Sequence, residues 1–295
     1  MAATALTLVT GATGFVGRHV LRELVEQKSR LRLVVRTGRQ SEVPRCAAIE
    51  TVVTTPDMWA ETPAWWENIC HDVDTVIHIA WYAEPGKYLQ SSINSECLAG
   101  TLRLAQGASH AKVRRFVGIG TCFEYDLNFG RLNIDTPLRP TTPYAEAKAA
   151  AFRALSQSLP QGGVEFVWCR LFYLYGEGEA EERLVPYLRA RLRAGERADL
   201  SSGTQIRDYL DVRDAARMIV KAARASAQGP LNICSGTATT VRALAERVAD
   251  EFGRRDLLQF GARPDNVTDP PCVVGVRTAN VVGEAQFMPM LPRSA

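Results

Sequence analysis

No run of about 18 or more apolar residues occurs in the chain, so no membrane-spanning helix is expected. Lys/Arg-rich runs are missing too, and 35 basic against 32 acidic side chains leave a net charge of +3. That balance is too small to point to nucleic acid as a partner. No CxxC occurs, and the seven cysteines, an odd number, are scattered along the chain. The pattern reads as buried free thiols in a reducing cytoplasm rather than a disulfide framework. The four histidines make no HxxxH and no cluster with cysteine, so no metal site is expected. Met1-Ala2-Ala3-Thr4 lacks a basic n-region and leads straight into a strand, so no signal peptide is expected. Internal repeats and low-complexity segments are absent as well.

What is present begins near the N-terminus. Thr10-Gly11-Ala12-Thr13-Gly14-Phe15-Val16-Gly17 follows the apolar segment Leu6-Thr7-Leu8-Val9. Three glycines at this spacing sit where a strand would turn into a helix. The first supplies a tight turn, the second lets backbone approach a pyrophosphate, and the third lets helix and strand pack closely. The phosphates would rest on the first N–H groups of the helix, where the helix dipole favours negative charge. A flexible turn is the alternative. The context favours a dinucleotide site: Val16, Val20, Leu21 and Leu24 form a helical stripe, and Leu31-Arg32-Leu33-Val34-Val35 forms a second strand.

Further short apolar runs read as buried parallel strands. They are Glu50-Thr51-Val52-Val53, Val73-Asp74-Thr75-Val76-Ile77-His78-Ile79-Ala80, Arg115-Phe116-Val117-Gly118-Ile119-Gly120 and Glu165-Phe166-Val167-Trp168-Cys169-Arg170-Leu171. Helical stretches lie around 92–109 and 144–159. This alternation predicts an α/β fold with a doubly wound parallel sheet and ligands at the carboxyl ends of its strands. Residues 1–171 are expected to form the dinucleotide-binding domain, with returning segments near 205–235. Residues 172–204 and 236–295 are expected to form a smaller substrate lobe, with a helix over 184–195 and another capped by Thr240. The 295-residue length suits that division.

Tyr144-Ala145-Glu146-Ala147-Lys148 places Tyr and Lys one above the other on a helix face. Pro143 sets the helix start so that Tyr144 falls in the first turn. A lysine ammonium near a phenol is expected to lower a pKa that starts near ~10. A tyrosine so tuned can pass a proton to or from a carbinol oxygen. An ordinary amphipathic helix with an exposed Tyr/Lys pair is the alternative.

The glycine motif, the YxxxK about 130 residues on, and a hydroxyl residue after the intervening strand together resemble the extended short-chain dehydrogenase/reductase family. The likeness covers most of the chain, including the fourth-strand segment ending at Ala80. Nucleotide-sugar epimerases, dehydratases and 4-ketoreductases share this arrangement. The resemblance implies Tyr144 as general acid/base, Lys148 on the nicotinamide ribose, and Thr121 on the reacting oxygen. It places Gly11, Thr13, Gly14, Phe15, Val16, Gly17, Ala80 and Asn94 on the cofactor side. Asp57 resembles the residue that contacts adenine, with a helix cap as the alternative. Arg207, in Arg207-Asp208-Tyr209-Leu210-Asp211-Val212, resembles the arginine given to a nucleotide-sugar diphosphate. A surface ion pair with Asp208 or Asp211 is its alternative. Tyr173 stands where many epimerases and dehydratases of the family carry Asn, and is expected on the substrate. A homodimer through the helices at 92–109 and 144–159 is also implied, where many alanines permit close approach.

Two departures narrow the reaction. No carboxylate ends the second strand to select NAD; Arg36-Thr37-Gly38-Arg39 stands there instead. Arg36 suits a 2′-phosphate, so NADP(H) is preferred and NAD(H) kept as the alternative, a solvated basic turn being the bland reading. The 4,6-dehydratases of the family carry Asp-Glu after the catalytic Thr, whereas Cys122-Phe123 follows Thr121, and Glu124 is one position late. The expectation is therefore a cytoplasmic NADPH-dependent reductase of a nucleotide-linked 4-keto-6-deoxy sugar. A nucleotide-sugar epimerase is the alternative. A reductase of a non-nucleotide carbonyl compound and a non-catalytic NADP sensor follow. The tail from 261, read as an unusual end to the lobe, carries few periodic signals.

Overall fold

The structure is a computed structural model that describes residues 5–266 and 269–277. The expectations for the N-terminal four residues and for the tail beyond 277 lie outside the described residues. Strand β1 (Leu6–Thr10) turns into helix α1 (Phe15–Glu26), which buries Val20, Leu21 and Leu24 of the expected stripe. Strands β2 (Arg30–Arg36) and β3 (Ile49–Thr55) follow, then α2 (Pro63–Ile69) and β4 (Thr75–His78). Helix α3 (Ile93–His110) leads to β5 (Arg115–Thr121), and β6 (Arg131–Leu132) is a short outlier. Helix α4 (Pro143–Gln161) starts at Pro143 under the Thr142 cap, whose hydroxyl accepts from the Ala145 N–H at 3.2 Å. Strands β7 (Glu165–Leu171) and β8 (Tyr173–Tyr175) come next.

The remaining elements alternate between the main sheet and the smaller layer. Helix α5 (Leu184–Arg193), β9 (Ala198–Leu200) and β10 (Ile206–Asp211) precede α6 (Val212–Arg224), whose N-cap is Asp211. Strand β11 (Gly229–Ile233) is followed by β12 (Ala238–Thr240), α7 (Val241–Asp250), β13 (Leu258–Phe260) and β14 (Cys272–Gly275). Thr240 caps α7 as its sequence position suggests, accepting from the Ala243 N–H at 3.0 Å.

Seven strands form one sheet in the order β11-β7-β5-β4-β1-β2-β3. Every pairing in it is parallel. The expected doubly wound fold is thus present. The order reverses between β1 and β4, so a crevice opens beyond the carboxyl ends of those two strands. One face of the sheet packs on α1 and α6 through Val20, Leu24, Leu33, Ala215 and Ile219. The other packs on α2, α3 and α4 through Trp66, Leu104, Phe116, Leu155 and Trp168. With both faces covered, the central strands are apolar without alternation. Beside them, β12, β10, β14 and β6 form a second sheet to which β8 adds through β10. Helices α5 and α7 pack with β9 and β13 around Leu188, Leu192, Leu244 and Val248. Among the described residues no helix is long and apolar enough to cross a membrane.

Candidate active site

A cavity of about 880 Å³ opens above the carboxyl ends of β1, β2, β4 and β5. At its first end lies the glycine turn. Gly11 has φ +74°, and a Cβ there would collide with the Ala80 backbone. A Cβ on Gly17 would strike the Gly11 carbonyl, so α1 leans directly on the end of β1. Gly14 is the N-cap of α1, with no side-chain cap and no acidic residue in the first turn. The helix therefore presents bare N–H groups and the positive end of its dipole to a cavity lined by Thr13, Gly14, Phe15, Val16 and Gly17. An anionic ligand fits this end.

Arg36 at the end of β2 and its neighbour Arg39 line the same cavity. Arg39 is paired with Glu42, its Nε donating at 2.5 Å. Arg36 is exposed, and among the described residues its side chain has no hydrogen-bond or ion-pair partner. Asp57 lines the wall and also accepts from the Trp59 N–H at 2.9 Å, so it caps a local turn while facing the cavity.

The far end holds Thr121, Tyr144 and Lys148, all lining the cavity. Thr121 is the last residue of β5, and its hydroxyl accepts from the Phe123 N–H at 3.3 Å and reaches the Tyr144 phenol. Its backbone N–H donates to Glu124 Oε1 at 2.8 Å, a reciprocal capping box. Glu124 also accepts from Trp168 Nε1 at 3.0 Å and from Arg170 Nε at 2.7 Å. Both members of this ion pair are buried, and Arg170 reaches on to the Tyr125 hydroxyl at 2.9 Å. Glu124 is thus fully committed to its partners.

Lys148 Nζ is buried and donates to the Ile119 carbonyl at 2.6 Å. It also lies 3.7 Å from the centre of the Trp81 ring. Burial pushes its pKa down to about 7, against the opposing pull of Glu124 and Cys97. The expected lowering of Tyr144 by this lysine is not found. Burial raises the Tyr144 phenol well above its ordinary value, Tyr88 and Glu124 add to that, and the Thr121 hydrogen bond offsets part of it. The ammonium is engaged by Ile119 and Trp81, and the phenol stays protonated.

Two expected site residues lie outside the cavity walls. Asn94 is buried with its amide fully used: Nδ2 donates to the Tyr88 and Ser91 carbonyls at 2.6 and 2.9 Å, and Oδ1 accepts from Trp81 Nε1 at 2.8 Å. It anchors the wall rather than facing a ligand. Arg207 is buried against Tyr173, 5.3 Å from the ring centre, and pairs with Asp269 at 2.6 Å. Neither Asp208 nor Asp211 is its partner. Asp208 accepts from Ser235, Gly236 and Gly275 backbone N–H groups, and Asp211 pairs with Arg213. Tyr173 itself lines the cavity, edge-on to Phe123 at 6.0 Å, with Arg207 packed against its ring.

Several wall residues went unread in the sequence. Trp81 meets Tyr144 edge-on at 6.4 Å, and Tyr88 does so at 4.8 Å. The only signal for them was the aromatic pair Trp81-Tyr82 directly after the fourth-strand motif. Glu179 and Arg183 line the mouth, and burial pushes the Glu179 carboxyl up to about 7.

The family model described as "NAD dependent epimerase/dehydratase family" matches residues 7–234. The chain is similar to the dTDP-6-deoxy-L-talose 4-dehydrogenase (NAD(P)(+)) of Kitasatospora kifunensis, with 29% identity over 85% of this chain and 80% of that protein. It is 22% identical to the dTDP-6-deoxy-L-talose 4-dehydrogenase (NAD(+)) of Aggregatibacter actinomycetemcomitans, covering 92% of this chain and 99% of that one. Among solved structures it resembles the UDP-N-acetylglucosamine 4-epimerase from Methanobrevibacter ruminantium M1 with a TM-score of 0.82 at 20% identity. That likeness covers 97% of this chain and 93% of the other, and concerns the fold.

Proposed function

The chain belongs to the NAD dependent epimerase/dehydratase family, and from that premise we propose that it reduces the keto group of a nucleotide-linked 4-keto-6-deoxy sugar at the expense of NADPH. The observation that carries this reading is that one cavity holds both a bare helix N-terminus behind a glycine turn and the Thr121, Tyr144 and Lys148 side chains. The residues fit a dinucleotide. Gly11 and Gly17 let the turn and α1 close on the end of β1, the first turn of α1 behind Gly14 would receive a pyrophosphate, and Asp57 and Ala80 would bound the adenosine and ribose sides. Arg36, with no side-chain partner among the described residues, favours a 2′-phosphate, so we read NADP(H) with NAD(H) as the alternative. When bound, the cofactor supplies the hydride.

The protein's own part is proton delivery and orientation. Tyr144, kept protonated by burial, donates to the carbinol oxygen as that oxygen gains charge. Thr121 donates a hydrogen bond to the same oxygen and holds the carbonyl in line. Lys148 orients the ribose and keeps positive charge beside the reacting centre. Glu124, bound by Arg170 and Trp168, has no free oxygen for the elimination of a dehydratase. The names of the two talose relatives describe oxidation at position 4 of a dTDP-6-deoxy sugar, and the reverse of such a step is the reduction proposed. We place the sugar against Tyr173 and the layer of α5 and α7, and a homodimer across α3 and α4.

Epimerisation of a nucleotide sugar is the second reading, favoured by the family's own description. It uses the same Tyr144 without net cofactor turnover. The test is a panel of nucleoside-diphosphate 4-keto-6-deoxyhexoses and of 4-hydroxy nucleotide sugars with NADPH and NADH. Steady NADPH consumption supports the reductase. Sugar isomerisation without it selects the epimerase, and no turnover with any sugar removes both.

A further inference from the structure

Lys148 is the one buried residue among five lysines in the chain. A buried ammonium wants three acceptors, and here one hydrogen bond, to Ile119, is made. Its other close contact is the face of Trp81 at 3.7 Å, while the Trp168 ring is farther, at 5.9 Å. The Trp81 ring is not loose. Its Nε1 is held by Asn94 Oδ1, and Asn94 is held in turn by the Tyr88 and Ser91 carbonyls. Its edges meet Trp59 at 6.3 Å and Tyr144 at 6.4 Å.

We propose that Trp81, locked by Asn94, is a positioning residue that holds the Lys148 side chain at the cavity floor and favours its ammonium form through the indole face. An indole is the best aromatic partner for a cation, and desolvation strengthens the attraction. The other groups facing this ammonium come from separate elements. Glu124, after β5, and Cys97, on α3, favour the charge. His78 on β4 is buried, its pKa pushed down to about 3 by burial and by Lys148 itself, so it stays neutral. Tyr144, on the same helix, is protonated. Glu124 shares its charge with Arg170, which leaves the Ile119 carbonyl and the Trp81 face as the groups in close contact with the ammonium. The same contact explains Asn94: the amide fixes the indole, and the indole fixes the lysine.

The inference rests on Lys148 serving the cofactor end, so its test begins on the protein alone. Lysines labelled at Cε are titrated by NMR in the wild type, Trp81→Leu, Trp81→Phe and Asn94→Ala. The other four lysines are exposed, and Lys148 alone is buried. Trp81→Leu should move its midpoint down by about half to one pH unit, with Trp81→Phe and Asn94→Ala moving it less in the same direction. An unchanged or raised midpoint in folded Trp81→Leu and Trp81→Phe overturns the proposal, since it makes the indole a mere desolvating wall. The second arm is NADPH affinity. About one pH unit above the wild-type midpoint, Trp81→Leu should bind roughly three- to tenfold more weakly, and about one unit below, nearly as well as wild type. A loss equal at both pH values means a structural role only and contradicts it. Should wild type bind no NADPH, the cofactor reading fails, and the NMR arm still decides the Trp81–Lys148 link.

Discussion

Arg170 and Lys148 both feel the charge of Glu124, yet the two buried cations are partnered in opposite ways. Arg170 donates to Glu124 and to the Tyr125 hydroxyl, and its guanidinium lies 4.5 Å from the Tyr125 and Phe152 ring centres. Lys148 has one carbonyl and one ring face, and opens on the cavity. The first arrangement holds β5, its following turn and β7 in register, and so fixes the backbone of Thr121. The second leaves a charge short of partners where a ligand arrives. A buried charge paired with a buried carboxylate is architecture, whereas one held by a single carbonyl and a ring face beside a cavity is a candidate for chemistry.

The comparison breaks most sharply with Arg170→Met. It strands Glu124 without its cation, and urea unfolding should register a loss of about 3–5 kcal/mol. Lys148→Met should behave in the opposite sense. The folded-state pKa of Lys148 lies below its unfolded value, so burial of the charge costs stability fully below about pH 7, and the cost is relieved as pH rises toward the unfolded value. Wild-type stability should therefore climb over that window. In Lys148→Met the climb should vanish, with no loss of stability near pH 6 while turnover fails. A variant as unstable as Arg170→Met would erase the distinction.

On the under-partnered side, Tyr144→Phe should cut kcat by about a hundred- to ten-thousandfold while leaving NADPH affinity and the unfolding midpoint close to wild type. The smallest expected effect is at the other end of the cavity. Arg36→Ser should lower the preference for NADPH over NADH about tenfold, roughly 1.4 kcal/mol, read as the ratio of the two dissociation constants. An unchanged ratio would take Arg36 out of the cofactor site.

These two cations also mark where the sequence stops being readable. Gly11 and Gly17 were legible because their backbone positions tolerate no Cβ. The central strands were legible because a sheet covered on both faces needs continuous apolar runs. Tyr144 and Lys148 were legible as a pair four residues apart on one helix. Their electrostatics were not, because Trp81 comes from a loop after β4 and loops carry no periodic signal. Helix α2 escaped notice at seven residues, too short for a stripe. Arg207 was read as a phosphate ligand from its local segment, while its partner Asp269 is distant in sequence. Asn94 was read toward the cofactor, and only the fold reveals that Trp81 takes its oxygen.

The central claim is that this cavity carries out net hydride transfer to a sugar carbonyl, with Tyr144 supplying the proton. NADPH deuterated at the transferable C4 position, incubated with a dTDP-4-keto-6-deoxyhexose, tests it most directly. The account predicts one deuterium at C4 of the sugar for each NADPH consumed, and none with Tyr144→Phe. No label on the sugar, together with C4 epimerisation of the corresponding 4-hydroxy dTDP-6-deoxyhexose without loss of NADPH, would contradict it.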